Sequence, residues 1–349
     1  MESDRPVRQV SGDAPTIHAY YDLCPESPDG QRVVYFEFSG DVPGAGRIVV
    51  AHPDGSDARV AGEVPSGSAH NGALQQWASD QHVVFSAPGE GPATSVIASF
   101  GGGAPRAVPG AVRMVHPHRG VALASPGRPA DAVWLIDLKG GKARTLLSVE
   151  DALAVHPQAE SIEKPEVMVF MNSKWSPDGT RFLTVFNNEG YRRRRPDVRR
   201  VKSLLVAEAD GTHLRYLKEF GHHPMWSPDA SFVHSYDPRD EGGQDLVAKG
   251  LDGREAKAML RGALGVHGTL SVDRRRLMTD VYDWPEPGRA AILRYDLRTG
   301  DYEVLVRMAL PDTTHKTGCH PHPVFSRDRK RVYFNSTDSG VPRLCAIEL

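Results

Sequence analysis

The sequence predicts an all-β chain that forms one seven-bladed β-propeller domain over residues 1–349. Three observations lead to this prediction. The composition suits strands and turns, short apolar runs alternate with turn residues, and one hairpin motif recurs along the chain. The first copy of the motif begins only at Glu26, so we expect the N-terminal segment to complete the last blade.

Glycine and proline are abundant for a helical protein, with 34 and 27 residues. Short runs of valine, isoleucine, leucine, phenylalanine and tyrosine are separated by glycine, proline, aspartate and asparagine. Continuous helical periodicity is hard to find in the sequence. We therefore expect a succession of short strands joined by tight turns.

The hairpin motif is clearest at residues 175–179 and 226–230, which read Trp-Ser-Pro-Asp-Gly and Trp-Ser-Pro-Asp-Ala. The aromatic residue is expected to end one strand, Pro-Asp-Gly to form the turn, and the apolar run that follows to form the next strand. Weaker copies begin at Glu26, Trp77, Val115, Leu270 and Phe325. The copies are separated by roughly 40 to 60 residues, which is the period of a propeller blade.

A second motif lies between copies of the first, at residues 208–211, 250–253 and 296–300. Its Asp-Gly or Thr-Gly pair is expected to form the outer hairpin of a blade. The alternative to seven blades is a ring of six or eight, with one copy of the first motif miscounted.

Charge and cysteine content argue against several classes of protein. The formal net charge is −2, and 25% of residues are charged, so no basic field favours nucleic acid or an anionic membrane as a partner. Cys24, Cys319 and Cys345 lie far apart in sequence and suggest no disulfide framework. No apolar run approaches the roughly 18 residues of a membrane span, and the N-terminus lacks a signal-peptide core. We expect a cytoplasmic protein of undefined oligomeric state.

The densest group of potential metal ligands is residues 315–323, which read His-Lys-Thr-Gly-Cys-His-Pro-His-Pro. Side chains two apart on an extended chain point the same way, so His320 and His322 can present two imidazoles to one ion. The alternative is a turn in which one histidine bonds the backbone and the other is exposed. His267 occupies the corresponding place one blade earlier. Asp280 is expected to be a ligand or the acceptor that fixes an imidazole.

Two further residues of this segment have open roles. Cys319 is either a thiolate ligand or a small buried residue at the entry of a blade. His315 is expected to be a solvated loop residue.

The loops at one face of a propeller converge on a central channel, so polar residues that precede the hairpin motif in different blades are expected to meet there. We expect His70 and Gln76 to bind substrate, although Gln76 equally suits a strand-end hydrogen bond. His223, or its neighbour His222, is expected to be a general base. The alternative is a histidine packed against Trp226.

Residues 191–202 form a dense cationic loop. Arginine holds carboxylates through two parallel hydrogen bonds, and we expect Arg199 or Arg200 to grip a substrate carboxylate, with Tyr191 as a substrate contact. The alternative is a solvated surface loop. Nucleic acid is disfavoured because no aromatic residue beyond Tyr191 is interleaved with the arginines.

The chain resembles the oligogalacturonate lyase family. The resemblance is specific over residues 160–349 and extends to the first half only through the hairpin motif. Propeller lyases that act on other uronate polymers, such as ulvan, share the Cys-x-x-His-Pro element found at 319–323. The residues that carry the resemblance are 175–182, 209–212, 222–229, His267, 279–280 and 319–326.

The resemblance implies a seven-bladed propeller with a divalent metal, manganese, held by histidines. His267, His320 and His322 match the metal ligands. A glutamine ligand of the family falls at Thr317 here, and Cys319 raises zinc as the alternative metal, because zinc accepts thiolate and imidazole together.

The resemblance also implies the reaction. His222 or His223 matches the family's base, and Arg199 or Arg200 lies near the place of its catalytic arginine. Such an enzyme cleaves short uronate oligosaccharides by β-elimination, as in pectin degradation: a neutral histidine takes the C5 proton, and the metal and the arginine stabilise the charge that develops on the carboxylate.

Two other functions stay open. A non-catalytic Tol-type binding propeller would hold no metal and would bind a protein partner. A metal-dependent sugar enzyme of another type would be a hydrolase, an epimerase or an eliminase on a different sugar.

Overall fold

The structure, a computed structural model, describes residues 3, 5–86, 93–310 and 318–349. The strands of these residues form seven four-stranded antiparallel sheets. Sheets 1 to 6 are each built from four strands that are consecutive in the chain. The sheets correspond to the seven copies of the hairpin motif, which confirms the prediction of an all-β, seven-bladed β-propeller fold.

The strands are short, and their bounds follow sheet by sheet. Sheet 1 contains β2 (Thr16–Ile17), β3 (Val33–Phe38), β4 (Gly44–Ala51) and β5 (Arg59–Gly67). Sheet 2 contains β6 (Gln76–Ser79), β7 (His82–Ser86), β8 (Thr94–Ser99) and β9 (Arg106–Pro109). Sheet 3 contains β10 (Ala111–Val115), β11 (Val121–Ser125), β12 (Ala132–Asp137) and β13 (Ala143–Ser148). Sheet 4 contains β14 (Val169–Trp175), β15 (Arg181–Asn187), β16 (Lys202–Glu208) and β17 (Arg215–Glu219).

The remaining sheets follow the same order, except that the last takes a strand from the start of the chain. Sheet 5 contains β18 (His222–Trp226), β19 (Phe232–Pro238), β20 (Gln244–Gly250) and β21 (Lys257–Leu260). Sheet 6 contains β22 (Thr269–Leu270), β23 (Arg276–Tyr282), β24 (Arg289–Asp296) and β25 (Tyr302–Ala309). Sheet 7 contains β26 (Val324–Phe325), β27 (Arg331–Ser336), β28 (Arg343–Glu348) and β1 (Val7–Gln9).

Helices are few and short among the described residues. Within that part of the chain, no helix is long and apolar enough to cross a membrane. Helix α1 begins with a capping box, in which the Ser148 hydroxyl and the Asp151 carboxylate satisfy each other's backbone amides. The helices are α1 (Val149–Val155), α2 (Glu189–Arg192) and the 3₁₀ turns Ala159–Ser161 and Pro165–Val167.

The chain divides into two compact units. The first holds sheets 1, 6 and 7 and nearly all of sheet 2, and the second holds sheets 3, 4 and 5. The first unit comprises Met1–Glu90, Ser95–Ala107 and Leu264–Leu349, and the second comprises Gly91–Thr94 and Val108–Ala263. The assignment of residues 1–349 to a single domain stays a prediction.

Each unit has its own apolar core. In the first unit, Phe36 and Phe38 of sheet 1 pack with Trp77 and Phe85 of sheet 2. In the second, residues of sheets 3 and 4 pack together, among them Leu123, Val133, Trp175 and Phe182. Burial of each large side chain stabilises the fold by about 2 to 3 kcal/mol. Because the short strands bury their apolar side chains in these cores, each strand is a short apolar run in the sequence.

The hairpin motif forms the turn between the first two strands of a sheet. In five copies the serine hydroxyl donates to the aspartate two residues later at 2.5–2.8 Å, which fixes the turn: Ser27, Ser176, Ser227, Ser271 and Ser326. The residue after the aspartate is left-handed, with φ between 57° and 71° at Gly30, Gly179, Ala230, Arg274 and Arg329. Glycine is the residue for which that conformation costs least, which explains the Pro-Asp-Gly of the best copies.

In sheets 4 and 5, a β-bulge lies three residues before the apolar residue that opens the motif. In sheet 4, Met171 pairs with Val185 and Lys174 with Leu183, so two residues of β14 face only Thr184. The first of those two is left-handed here and at the same place in three other sheets. We call Asn172 in sheet 4 and His223 in sheet 5 the bulge residues, both with φ of 52°. The other two are Leu74, just before β6 of sheet 2, and His322, just before β26 of sheet 7, with φ of 54° and 47°.

The first and last strands of the chain are neighbours in sheet 7. Strand β1 pairs antiparallel with β28, with Val7 opposite Ile347 and Gln9 opposite Cys345. Residues near the start of the chain therefore complete the sheet that follows His320 and His322.

Candidate metal centre

Four histidines of the first unit converge on one point. One ring nitrogen from each lies within 4.8 Å of the corresponding atoms of the others. The set joins three separate stretches of chain: His70 before β6, His267 before β22, and His320 and His322 before β26. Such a cluster of imidazole nitrogens is the donor set that zinc, iron, nickel and other transition metals accept.

His267 is held in a fixed orientation by Asp280. The Asp280 carboxylate accepts hydrogen bonds from the backbone N–H of His267 at 3.0 Å and from ring Nδ1 at 3.0 Å. The Tyr282 hydroxyl donates to the same carboxylate at 2.8 Å and also lies 2.8 Å from Nδ1. With the proton on Nδ1, the lone pair of His267 is on Nε2, as a metal ligand requires.

A glycine permits the chain to reach this position. Gly265 has φ of 107°, and a Cβ added there would lie 2.3 Å from Thr279 Oγ1 and 2.9 Å from the Asp280 carbonyl oxygen. The backbone N–H of Val266 bonds that same carbonyl at 2.9 Å. The loop before β22 therefore lies directly against β23, which brings His267 to Asp280.

His70 is oriented by a backbone carbonyl. Its Nδ1 lies 3.0 Å from the carbonyl oxygen of Gly318 and must donate to it, which leaves Nε2 with the lone pair. The bond ties the loop after β5 to the segment that leads to His320 and His322. His70 was predicted to bind substrate; the structure places it with the three histidines that were predicted as metal ligands, His267, His320 and His322.

His322 is left-handed at the position that corresponds to the bulge residues of sheets 4 and 5, and its backbone is held on both sides. Its N–H donates to the Asp280 carboxylate at 3.1 Å, and its carbonyl oxygen accepts from Nε2 of His18 at 2.7 Å. A left-handed residue between two prolines is strained, at a cost of order 1 to 3 kcal/mol. The surrounding bonds maintain this conformation, which directs the ring toward the other three histidines.

Burial, with the neighbouring imidazoles, favours the neutral form of His322 and His70. Burial lowers the pKa of His322 well below its usual range, and the neighbouring His267 and His70 lower it further. Burial also lowers the pKa of His70, and that of His18 to about 4. Burial raises the pKa of Asp280, while hydrogen bonds from Tyr282 and His267 oppose the rise. Neutral imidazoles with available lone pairs are the form that binds a metal.

The residues present fit a divalent metal. Both ring nitrogens of His322 are buried, and neither makes a hydrogen bond with another described residue. Two orphaned nitrogens in a buried site cost free energy, and a metal ion would satisfy one of them. Asp280 is not among the converging donors but supports two of them, so of its two predicted roles the structure shows that of an acceptor.

Cys319 does not join the histidines. Its side chain is fully buried in the apolar core with Ile17, Phe36 and Trp77, and burial raises the pKa of the thiol to about 12. A neutral thiol in such surroundings is a poor metal ligand, so the structure favours the small buried residue among the two predicted roles. His315 and Thr317 lie outside the described residues.

Aromatic side chains that the sequence did not reveal surround the histidines. The Tyr20 ring lies 4.7 Å from that of His322 and 5.6 Å from that of His267, and the Tyr21 ring lies 4.9 Å from His267. The Tyr282 ring lies 4.6 Å from His320. Tyr20 and Tyr21 precede the first hairpin motif, as the histidines precede the motif in other blades. That shared position in the repeat is the feature of the sequence that could have identified them as site residues.

The predicted base lies in the second unit, at the start of β18. His222 and His223 are half-buried, and their Nδ1 atoms are 2.9 Å apart, so one ring donates to the other. Burial lowers the pKa of His222, and the neighbouring Lys202 adds to the effect. Gly221 allows the close approach of this strand to β19, because a Cβ there would lie 2.1 Å from the Tyr236 carbonyl oxygen.

The two predicted arginines are exposed and have different partners. Arg199 donates to the Ser161 hydroxyl at 2.7 Å and to the side chain of Gln158. Arg200 pairs with Glu189 and donates to the Gly221 carbonyl oxygen at 3.3 Å, next to His222. Of the two, Arg200 is the one held beside the histidine pair.

The two other predicted substrate contacts have local roles. Gln76 is buried at the start of β6, and its amide donates to the Leu74 carbonyl oxygen at 3.3 Å. Tyr191 is half-buried in the short helix α2. Their predicted contact with substrate stays a prediction.

Comparison with known proteins shows similarity in fold at low sequence identity. No family model and no curated protein matches the chain. Among solved structures, an oligogalacturonate lyase in complex with manganese superposes with a TM-score of 0.68 and 15% identity, covering 100% of this chain and 94% of that one. The oligogalacturonate lyase of Vibrio parahaemolyticus gives a TM-score of 0.69 and 14% identity, covering 100% and 95%.

A more distant structure shares the architecture. The β-propeller domain of the Trilobed protease from Pyrococcus furiosus gives a TM-score of 0.55 and 12% identity, covering 95% of this chain and 96% of that one. The predicted resemblance to oligogalacturonate lyases is thus supported by the fold of the whole chain.

Proposed function

We propose that the chain is a metal-dependent lyase that cleaves short, oligogalacturonate-like uronates by β-elimination. The observation that carries the proposal is the group of four converging histidines, of which His267 and His322 are fully buried, with its Asp280 support, in a fold similar to that of oligogalacturonate lyases. A binding propeller without chemistry has no need of four converging imidazoles, one of them on a strained backbone and two of them fully buried.

The metal would be held by His267, His320, His322 and His70. When bound, it would supply a positive charge that stabilises the substrate carboxylate as negative charge develops on it. Manganese is the ion of one solved neighbour, and we propose it here, with zinc as the alternative because the described donors are imidazoles.

The chain's own groups would complete the elimination. His223, or His222 beside it, would accept the C5 proton; burial keeps the pKa of His222 low, so the ring is neutral and able to accept. The electrons of the broken C5–H bond form the C4–C5 double bond, the C4–O4 bond breaks, and the leaving oxygen takes up a proton. We propose Arg200, or Arg199, as the group that holds the carboxylate, and a cytoplasmic oligosaccharide as the substrate.

The experiment combines metal analysis with product analysis. The purified chain, supplied with Mn²⁺ or Zn²⁺, is incubated with digalacturonate and a panel of other oligouronides. We expect an increase in ultraviolet absorbance from the unsaturated uronate, and products whose summed mass equals that of the substrate. A hydrolase would add the mass of one water, and an epimerase would leave the chain length unchanged.

The control is the double variant His320→Ala/His322→Ala. We expect it to lose both the bound metal and the activity while it retains its β-sheet circular dichroism. A wild-type protein that takes up no divalent ion and changes no oligouronide would contradict the proposal and favour a non-catalytic binding protein.

A further inference from the structure

The bulges give one position of the repeat an unusual, left-handed backbone conformation. Each lies three residues before the apolar residue of the hairpin motif, and each forces its first residue into the left-handed region. A bulge re-aims the side chain of that residue relative to the rest of its strand. In sheet 5 the bulge residue is His223, the proposed base, and in sheet 7 the left-handed residue at the corresponding position is His322 of the metal centre.

In sheet 4 the same position is occupied by Asn172. The residue is half-buried, with φ of 52°, equal to that of His223. Its side-chain amide makes no hydrogen bond with any residue in the described part of the chain. Ser173, the second residue of the bulge, is instead satisfied by the Thr184 hydroxyl at 2.8 Å. The Asn172 amide therefore has donors and an acceptor available for a ligand.

The bulges of sheets 4 and 5 are neighbours in the second unit. The Lys174 ammonium donates to the Pro224 carbonyl oxygen at 2.7 Å, and the Trp226 indole donates to the Lys174 carbonyl oxygen at 3.2 Å. Asn172 is two residues before Lys174, and His223 is one residue before Pro224. The two bonds thus fix β14 against β18, the two strands that carry the bulge residues.

We infer that Asn172 contacts the substrate and binds hydroxyl or carboxylate oxygens of the sugar residue that lies against His223. This inference rests on the proposed function. An amide both donates and accepts, which suits the paired hydroxyls of a sugar ring, and it carries no charge that would repel a uronate.

A purely structural reason for asparagine exists and must be separated from this role. Asparagine tolerates the left-handed region better than most residues. Leu74 shows, however, that the repeat imposes this conformation on a residue with no such tolerance. Glycine accepts the conformation without strain, so Asn172→Gly removes the amide and leaves the bulge in place.

The test measures binding of trigalacturonate to the metal-loaded full chain by isothermal titration calorimetry. We expect Asn172→Gly to weaken binding about 10-fold, the effect of one or two lost hydrogen bonds. Asn172→Asp keeps the shape but adds a negative charge, and we expect it to weaken binding of the anionic ligand further. The matched control is Ala230→Gly, which relieves the same backbone conformation at φ of 57° in sheet 5 and should bind like the wild type.

The outcomes distinguish this inference from the function on which it rests. If the wild type binds and Asn172→Gly binds equally well, Asn172 is structural and the inference fails while the lyase proposal stands. If the wild type binds no oligouronide in the panel, the proposed function fails and the inference fails with it. Thermal unfolding of each variant verifies that a weaker signal does not come from a damaged fold.

Discussion

Asp280 holds His267 at two points, accepting both its backbone N–H and its ring Nδ1–H at 3.0 Å. The same carboxylate accepts the backbone N–H of His322 and the hydroxyl of Tyr282. One buried acidic group thus positions two of the four histidines, and the two carboxylate oxygens serve four donors.

Asp280→Asn should weaken metal binding about 10- to 100-fold, the usual effect of losing the partner that orients a histidine ligand. The amide has one acceptor oxygen in place of two, so at least one of the four donors loses its partner. Competition with a chelator for Mn²⁺ and for Zn²⁺ measures the change. Asp283→Asn is the control, since Asp283 is exposed and bonds only the Gly288 amide within the described residues. Equal affinity in the wild type and Asp280→Asn would show that Asp280 does not support the site.

Arg200→Ala should lower kcat/KM on the best oligouronide about 10- to 100-fold, because a lost charged hydrogen bond to a carboxylate costs roughly 1.5 to 3 kcal/mol. Arg200 is bonded to the Gly221 carbonyl beside His222, whereas Arg199 is turned to Ser161 and Gln158. Arg199→Ala is therefore the matched control and should change kcat/KM little. A larger loss in Arg199→Ala would reverse the assignment, and unchanged kinetics in both variants would remove this loop from the reaction.

His234 should make the protein sensitive to acid. Burial, assisted by Lys174, lowers the pKa of His234 to about 3, and neither ring nitrogen bonds another described residue. Between that value and the ordinary value of about 6.5, the unfolded chain binds a proton that the folded chain does not, so stability falls as pH falls, by about 1.4 kcal/mol per pH unit.

His234→Leu should therefore flatten the pH dependence of unfolding by urea between pH 6 and pH 4, since leucine cannot take up the proton. Replacing a buried ring that has no described partner by an apolar group of similar size should cost little at pH 7. The exposed His213→Leu provides the comparison and should keep the wild-type slope. Parallel curves for His234→Leu and the wild type would mean that other groups cause the acid sensitivity.

The fold could be predicted from the sequence because its signal is local and repeated. Each hairpin motif ends one strand, forms one turn and starts another, so a copy can be recognised from a few consecutive residues, as at Trp175 and Trp226. Counting the copies gave the number of sheets. The bulges were not predicted, because a bulge is defined by the pairing of two strands and not by one of them.

The candidate site was predicted in part. The proximity of His320 and His322 follows from their spacing, and His267 from its place in the repeat. His70 is separated from His267 by nearly 200 residues and lies on an irregular loop, so only the folded chain shows that it joins them. Tyr20, Tyr282 and Lys174 were missed for a related reason, because a tyrosine or lysine in a β-rich sequence carries no signal of its own.

The pairing of β1 with β28 has a consequence for synthesis of the protein. Val7 and Ile347 are partners although 340 positions separate them, and the hydrogen bond of His70 is to the carbonyl oxygen of Gly318, 248 positions later. A chain that leaves the ribosome from its N-terminus cannot assemble either feature until nearly all of it has emerged. Metal uptake is therefore expected to be a late event, and a truncated or stalled chain would carry exposed histidines without the pocket that orients them.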